Sequence, residues 1–142
     1  MEFINIGKIV NTHGIKGELR ILSDFRHKDK VFKVGMKFYV GKDKEEFTVN
    51  SYRFHKIFDM ITLKGFNNIN EVLHLKTKKV YCNREDLNLS KDEYLINDLI
   101  GLKAYYNNNL IGKITDISKD KNPLITIDRK KLNSELENDK IE

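Results

Sequence analysis

The stretch Ile4 to Leu22, INIGKIVNTHGIKGELRIL, limits the fold more than any other part of the chain. Apolar and polar residues alternate on both sides of a short loop with a glycine at each end, Gly14 and Gly17, and the pair Thr12-His13 stands just before it. Alternation at period two marks strands with one buried face. Glycine reaches positive φ and admits a neighbouring backbone at no steric cost, so Gly7, Gly14 and Gly17 read as positions chosen for shape. The unit is a β-hairpin with a core face supplied by Ile9, Ile15, Leu19 and Ile21 and a cationic edge (Lys8, Lys16, Arg20).

The same pattern recurs. Met36–Val40 reads as a strand closed by the turn Gly41–Lys44, and Phe47–Phe54 as a strand whose alternation slips near Asn50-Ser51, as a bulge would cause. Ile57–Leu63 is a further strand and Lys79–Cys82 a last one, while Ser23–Lys30 has no period and reads as a surface loop. One helical signal interrupts them. Asn68 or Asn70 serves as N-cap, and Ile69, Val72 and Leu73 share a face.

Residues 83–93 are mostly polar, and the pattern then resumes in Tyr94–Gly101, Leu102–Tyr106, Leu110–Ile117 and Pro123–Ile127. Asn107-Asn108-Asn109 suits a hairpin connection because asparagine tolerates the left-handed region. Of Tyr105 and Tyr106, adjacent on a strand, one is expected in the core. Residues 129–142 are highly charged and read as a loose helix or a tail. The expected fold is all-β: two small β-barrels in tandem with one short helix, the first over 1–85, a linker over 86–93 and the second over 94–142.

The charge divides at the same place. Residues 1–85 carry 17 Lys and Arg against 10 Asp and Glu; residues 86–142 carry 9 against 11. A basic first half and a slightly acidic second half suit two partners of different charge. The abundance of lysine and asparagine is itself a bias that AT-rich codons produce without selection for binding, so a single lysine carries little weight. Arg20 and Arg53 carry more, being two of few arginines and able to grip phosphate bidentately. With Lys8, Lys16, His55 and Lys56 they are expected to converge on one face of the first barrel, interleaved with the rings of Tyr52 and Phe54, and His13 joins Lys16, Arg20, Arg53 and His55 in the candidate partner- or rRNA-binding set.

Catalysis is poorly supported. His13, His27, His55 and His74 fall in separate segments, no phosphate loop is present, and the lone Cys82 makes neither a disulfide nor a cysteine-rich metal site. No run of about 18 apolar residues suggests a membrane span, and Met1 leads directly into a strand-like pattern instead of a secretory signal. The expectation is a cytoplasmic, monomeric binding protein without cofactor or metal.

At this point the residues carry a resemblance. GKIVNTHGIKGELRI, then Arg53-Phe54-His55, the strand Met60–Gly65 and the Asn70-Glu71-Val72 helix resemble the first domain of the bacterial ribosome maturation factor RimM family. Asp98-Leu99-Ile100-Gly101 and LIGKITDI at 110–117 resemble its C-terminal PRC-barrel domain. The resemblance implies a Greek-key-like N-terminal barrel followed by the PRC barrel. It also implies a non-enzymatic factor in assembly of the small (30S) subunit head and 16S rRNA processing, binding the small ribosomal subunit, 16S rRNA and head protein S-nineteen. Where the family places an aromatic pair before the DLIG motif, implicated in partner binding, this chain has Tyr94-Leu95. Gly101 and Gly112 join Gly7, Gly14 and Gly17 as structural turn residues. A protein-only adaptor without RNA contact is the alternative.

Overall fold

The computed structural model describes residues 1–118 and 124–129, divided into a unit over Met1–Asn88 and a second from Leu89 onward. In the first unit, six strands form: β1 (Phe3–His13), β2 (Glu18–Leu22), β3 (Lys37–Val40), β4 (Glu45–His55), β5 (Phe58–Leu63) and β6 (Lys79–Asn83). They close into an antiparallel barrel in the order β1-β2-β5-β4-β3-β6. β3, β4 and β5 are a meander, whereas the β2–β3 and β5–β6 connections each skip two strands, which gives the Greek-key character. Closure leaves no sheet edge for another chain to pair with.

The inward positions are apolar because alternation aims every second side chain at the barrel axis. Ile6, Ile9, Leu19, Ile21, Phe38, Val49, Ile61, Leu63 and Val80 are buried there. β1 bends around the barrel through register shifts at Asn5/Gly7 and Ile9/Asn11, and β4 through one between Val49 and Ser51, where the alternation of its sequence slips. The helical signal is realised as α2 (Ile69–Val72), with Asn68 Oδ1 accepting from Asn70 N–H at 2.9 Å, followed by a tighter turn over Leu73–Leu75.

Ser23–Lys30 differs from the expected loop. It runs into a single helical turn, α1 (Lys28–Val31), that buries Val31 and Phe32, and His27 is also buried. Its charged residues hide the apolar anchors that follow them. Arg84–Leu87 forms another tight turn packed on β6, with Leu87 1% exposed, so Asp86 and Leu87 lie in the first unit.

The second unit contains α3 (Ile96–Leu99) and a three-stranded antiparallel sheet, β7 (Lys103–Tyr106), β8 (Asn109–Ile117) and β9 (Ile125–Asp128), among the described residues. Asn107 and Asn108 connect β7 to β8 with φ of 49° and 67°, the geometry of a type I′ turn. Tyr105 and Tyr106 are both exposed, against the expectation that one is core; they lie at the hairpin end, beyond a register shift between Ala104 and Tyr105. Gly112 pairs with Ala104 beneath Ile127, whose Cγ2 occupies the space a Cβ would need. Pro123 and the charged segment 130–142 lie outside the described residues. Among the described residues no helix is long and apolar enough to cross a membrane.

Candidate functional site

Because Leu19 and Ile21 point into the barrel, Glu18 and Arg20 point out. Register carries this outward row across neighbouring strands: His13 pairs with Glu18, Arg20 with Met60, Met60 with Arg53, and His55 with Phe58. His13, Arg20, Arg53 and His55, singled out from the sequence, therefore share one outer face. Met60, outward by register and paired with Arg20 and Arg53, is completely buried. Arg53 is exposed, whereas Arg20 is half-buried and its Nε is enclosed without a hydrogen-bond partner.

Two contacts organise the face. Arg20 Nη2 lies 2.7 Å from His13 Nδ1, and its guanidinium carbon stands 5.7 Å from the Phe58 ring centre. Arginine only donates, so this contact is a hydrogen bond in the tautomer that leaves His13 Nδ1 unprotonated. Arg53 donates through Nε and Nη2 to the two carboxylate oxygens of Glu18, at 2.8 and 2.7 Å. The hydrogen bond from Arg53 holds the Glu18 carboxyl below the usual glutamate range; burial opposes this, and the charges of Arg53, His13 and His55 reinforce it. The His13 and His55 ring centres are 6.5 Å apart.

The sign of the pH dependence follows. A carboxyl depressed by folding contributes stability above its unfolded pKa and loses it as pH falls through the folded value. An NMR titration of Glu18 should have its midpoint below that of an ordinary glutamate, and Arg53→Gln should move it upward. An unchanged midpoint in that variant would show that the pair does not form in solution.

The loop beside this face presents Lys16 and Ile15 to solvent, Ile15 being 82% exposed. Gly14 and Gly17 have φ of 77° and 84°, and Ile69 N–H donates to Ile15 O at 2.8 Å, seating the loop on α2. At Gly7 a Cβ would come within 2.9 Å of Ile21 and Leu22 O, so β1 and β2 approach too closely for a side chain. Lys8 pairs with Leu22 and Lys79, farther along the barrel. Lys56 is in the β4–β5 turn.

Tyr52 is not on the face. Its hydroxyl donates to Asp59 Oδ1 at 2.7 Å, its ring stacks on Phe32, and burial followed by the Asp59 bond raises its pKa to about 12. Phe54 is 58% exposed, with the Lys28 ammonium 5.5 Å from its ring centre. Glu18, Phe58 and Met60 had no signal in the sequence as members of the site. Only the strand register brings them there.

In the second unit Tyr94 is half-buried and Leu95, which precedes α3, is buried. Gly101 has a φ of 90° and donates its N–H to Ile114 O at 2.7 Å. Among the described residues no group of three or more His, Cys, Asp or Glu side chains could hold a metal. Burial first, then Asp86, pushes the Cys82 thiol up to about 12, which removes it as a nucleophile near neutral pH. The chemistry on offer is cation and ring recognition on a rigid sheet.

Comparison with known proteins identifies the family. The family model described as the RimM N-terminal domain matches residues 4–87. The ribosome maturation factor RimM of Exiguobacterium sp. is 38% identical over 120 residues, which cover 82% of this chain and 70% of that protein. The protein of the same name from Ligilactobacillus salivarius is 42% identical over 121 residues, covering 82% and 72%. The crystal structure of RimM from Pseudomonas aeruginosa, assigned to 16S ribosomal RNA processing, superposes with a TM-score of 0.55 at 22% identity. It covers 89% of this chain and 76% of that one, and its likeness bears on the fold alone.

Proposed function

The chain belongs to the ribosome maturation factor RimM family, and from that premise we propose that it acts as a chaperone-like binder of the immature small ribosomal subunit during 16S rRNA processing. In this reading the first barrel grips rRNA phosphates with Arg20, Arg53 and Lys16, and the second unit, around Tyr94, meets head protein S-nineteen. Binding is stronger to the immature head than to the finished one, so the free-energy difference favours the correct arrangement and then release. The setting is the cytoplasm.

The observation that carries this reading is the Arg20–Met60–Arg53 row. Two guanidiniums flank a completely buried methionine on the outside of a closed barrel, with two histidines beside them. That is a preorganised cationic face, and phosphate is the ligand whose geometry matches guanidinium best. Arg20→Glu combined with Arg53→Glu is expected to weaken co-sedimentation with immature small subunits at least about tenfold. It should also flatten the salt dependence by about one unit of log–log slope per lost phosphate contact. Unchanged co-sedimentation would remove this face from the interface.

A second reading, a protein-only adaptor, is favoured by one feature: Glu18 already neutralises Arg53. It predicts full binding to S-nineteen by the double variant and a salt slope near zero.

A further inference from the structure

We infer that Glu18 is a built-in competitor for the phosphate-binding edge of Arg53, so that RNA must displace a carboxylate of the protein to be gripped bidentately. The inference rests on the reading of this face as an rRNA contact and adds how strongly, and how reversibly, the face can hold.

Arg53 spends Nε and Nη2 on the two Glu18 oxygens, the same parallel pair of bonds that guanidinium forms with a phosphate. While Glu18 is seated, Arg53 has only its remaining N–H groups for a ligand. The two side chains differ in exposure: the Arg53 side chain is 51% exposed and that of Glu18 is 16%. The carboxylate therefore sits low on the sheet, with the guanidinium over it and open to solvent.

Stability is a poor reason for the pair. An ion pair with so exposed an arginine contributes little to folding. The strands do not need it either, because β2 and β4 are each paired to β5 along their own ladders. Within the patch formed by His13, Arg20, Phe58, Met60, Arg53 and His55, Glu18 is the one carboxylate. An acid placed against one of the two arginines lowers the affinity of the face for any isolated phosphate. The ligand able to displace it is one that engages several cations at once, as a folded RNA backbone does by placing phosphates near Arg20, Arg53 and Lys16 together.

The test uses the full chain with Glu18→Gln, which keeps shape and removes charge, and Glu85→Gln, which removes the same charge from the exposed turn after β6. Affinity is measured for protein-free 16S rRNA and for immature small subunits. Glu18→Gln should tighten binding roughly two- to fivefold, as release of a surface ion pair allows, while Glu85→Gln leaves it unchanged. Equal tightening by both variants would reduce the effect to net charge and overturn the inference. Weaker binding by Glu18→Gln would overturn it also, showing that the carboxylate holds Arg53 in its binding posture. Arg20→Glu and Arg53→Glu separate the two levels. If both leave RNA binding intact, the reading of the face fails and the competitor with it; if both weaken it while Glu18→Gln does not tighten it, the competitor alone fails.

Discussion

Lys28→Met is expected to lower the stability of the first unit by about 2–4 kcal/mol near neutral pH, the scale for stranding a buried charge. Asp59 is completely buried, with Tyr52 donating to Oδ1 at 2.7 Å and the Lys28 ammonium 2.8 Å from Oδ2. Oδ2 accepts no well-aligned hydrogen bond, so its compensation is the charge of Lys28. Methionine keeps the aliphatic stem and removes that charge. Since Lys28 is partly exposed, water relieves some of the loss, which places the cost below that of a fully enclosed pair. For a unit of this size the melting temperature should fall by about 10 °C or more.

A second substitution gives the diagnosis. Adding Asp59→Asn should restore most of the stability at neutral pH, because the uncharged amide needs no cation and its oxygen still accepts from Tyr52. Thermal melts of the single and double variants decide the matter. A deficit that Asp59→Asn does not relieve would mean that Lys28 acts by packing alone.

The elements whose causes are local were legible in the sequence. The alternation of β2, the slip at Asn50-Ser51, the Asn68 cap and the Asn107-Asn108 turn each follow from a few neighbouring residues, and the structure shows all four. What was hidden depends on contacts between distant segments. Glu18 and Arg53 are 35 residues apart and meet only because β2 and β4 both flank β5. Met60 alternates as an outward residue yet is completely buried. Tyr52 resembled a stacking ring beside Arg53, yet adjacent strand residues face opposite sides, so with Arg53 outward it faces Asp59 and Phe32. Charge misled at α1, where a lysine-rich stretch delivers Val31 and Phe32 to the core. The candidate cations were readable as residue types; their pairing, and hence the availability of each to a ligand, was not.

Gly17→Ala is expected to cost about 2–4 kcal/mol, the sum of a left-handed backbone penalty and overpacking against an atom that cannot retreat. Its φ is 84°, and an added Cβ would lie 3.1 Å from the carbonyl oxygen of Asn68 and 3.2 Å from Val72 Cγ2. Asn68 is the cap of α2, and Ile69 N–H is bonded to Ile15 O, so the loop and the helix end are one unit. Gly14 supplies the control. Its φ is 77° but nothing lies within 4 Å of its would-be Cβ, so Gly14→Ala should pay the backbone penalty alone, about 1–2 kcal/mol. Thermal melts of the two variants separate strain from contact, and equal losses would mean that the approach to α2 is unimportant. The same comparison bears on function. Only Gly17→Ala pushes the loop off α2, so on the proposed reading of Lys16 as an rRNA contact it should weaken RNA binding beyond what its stability loss explains, whereas Gly14→Ala should bind like the parent at temperatures where both are folded.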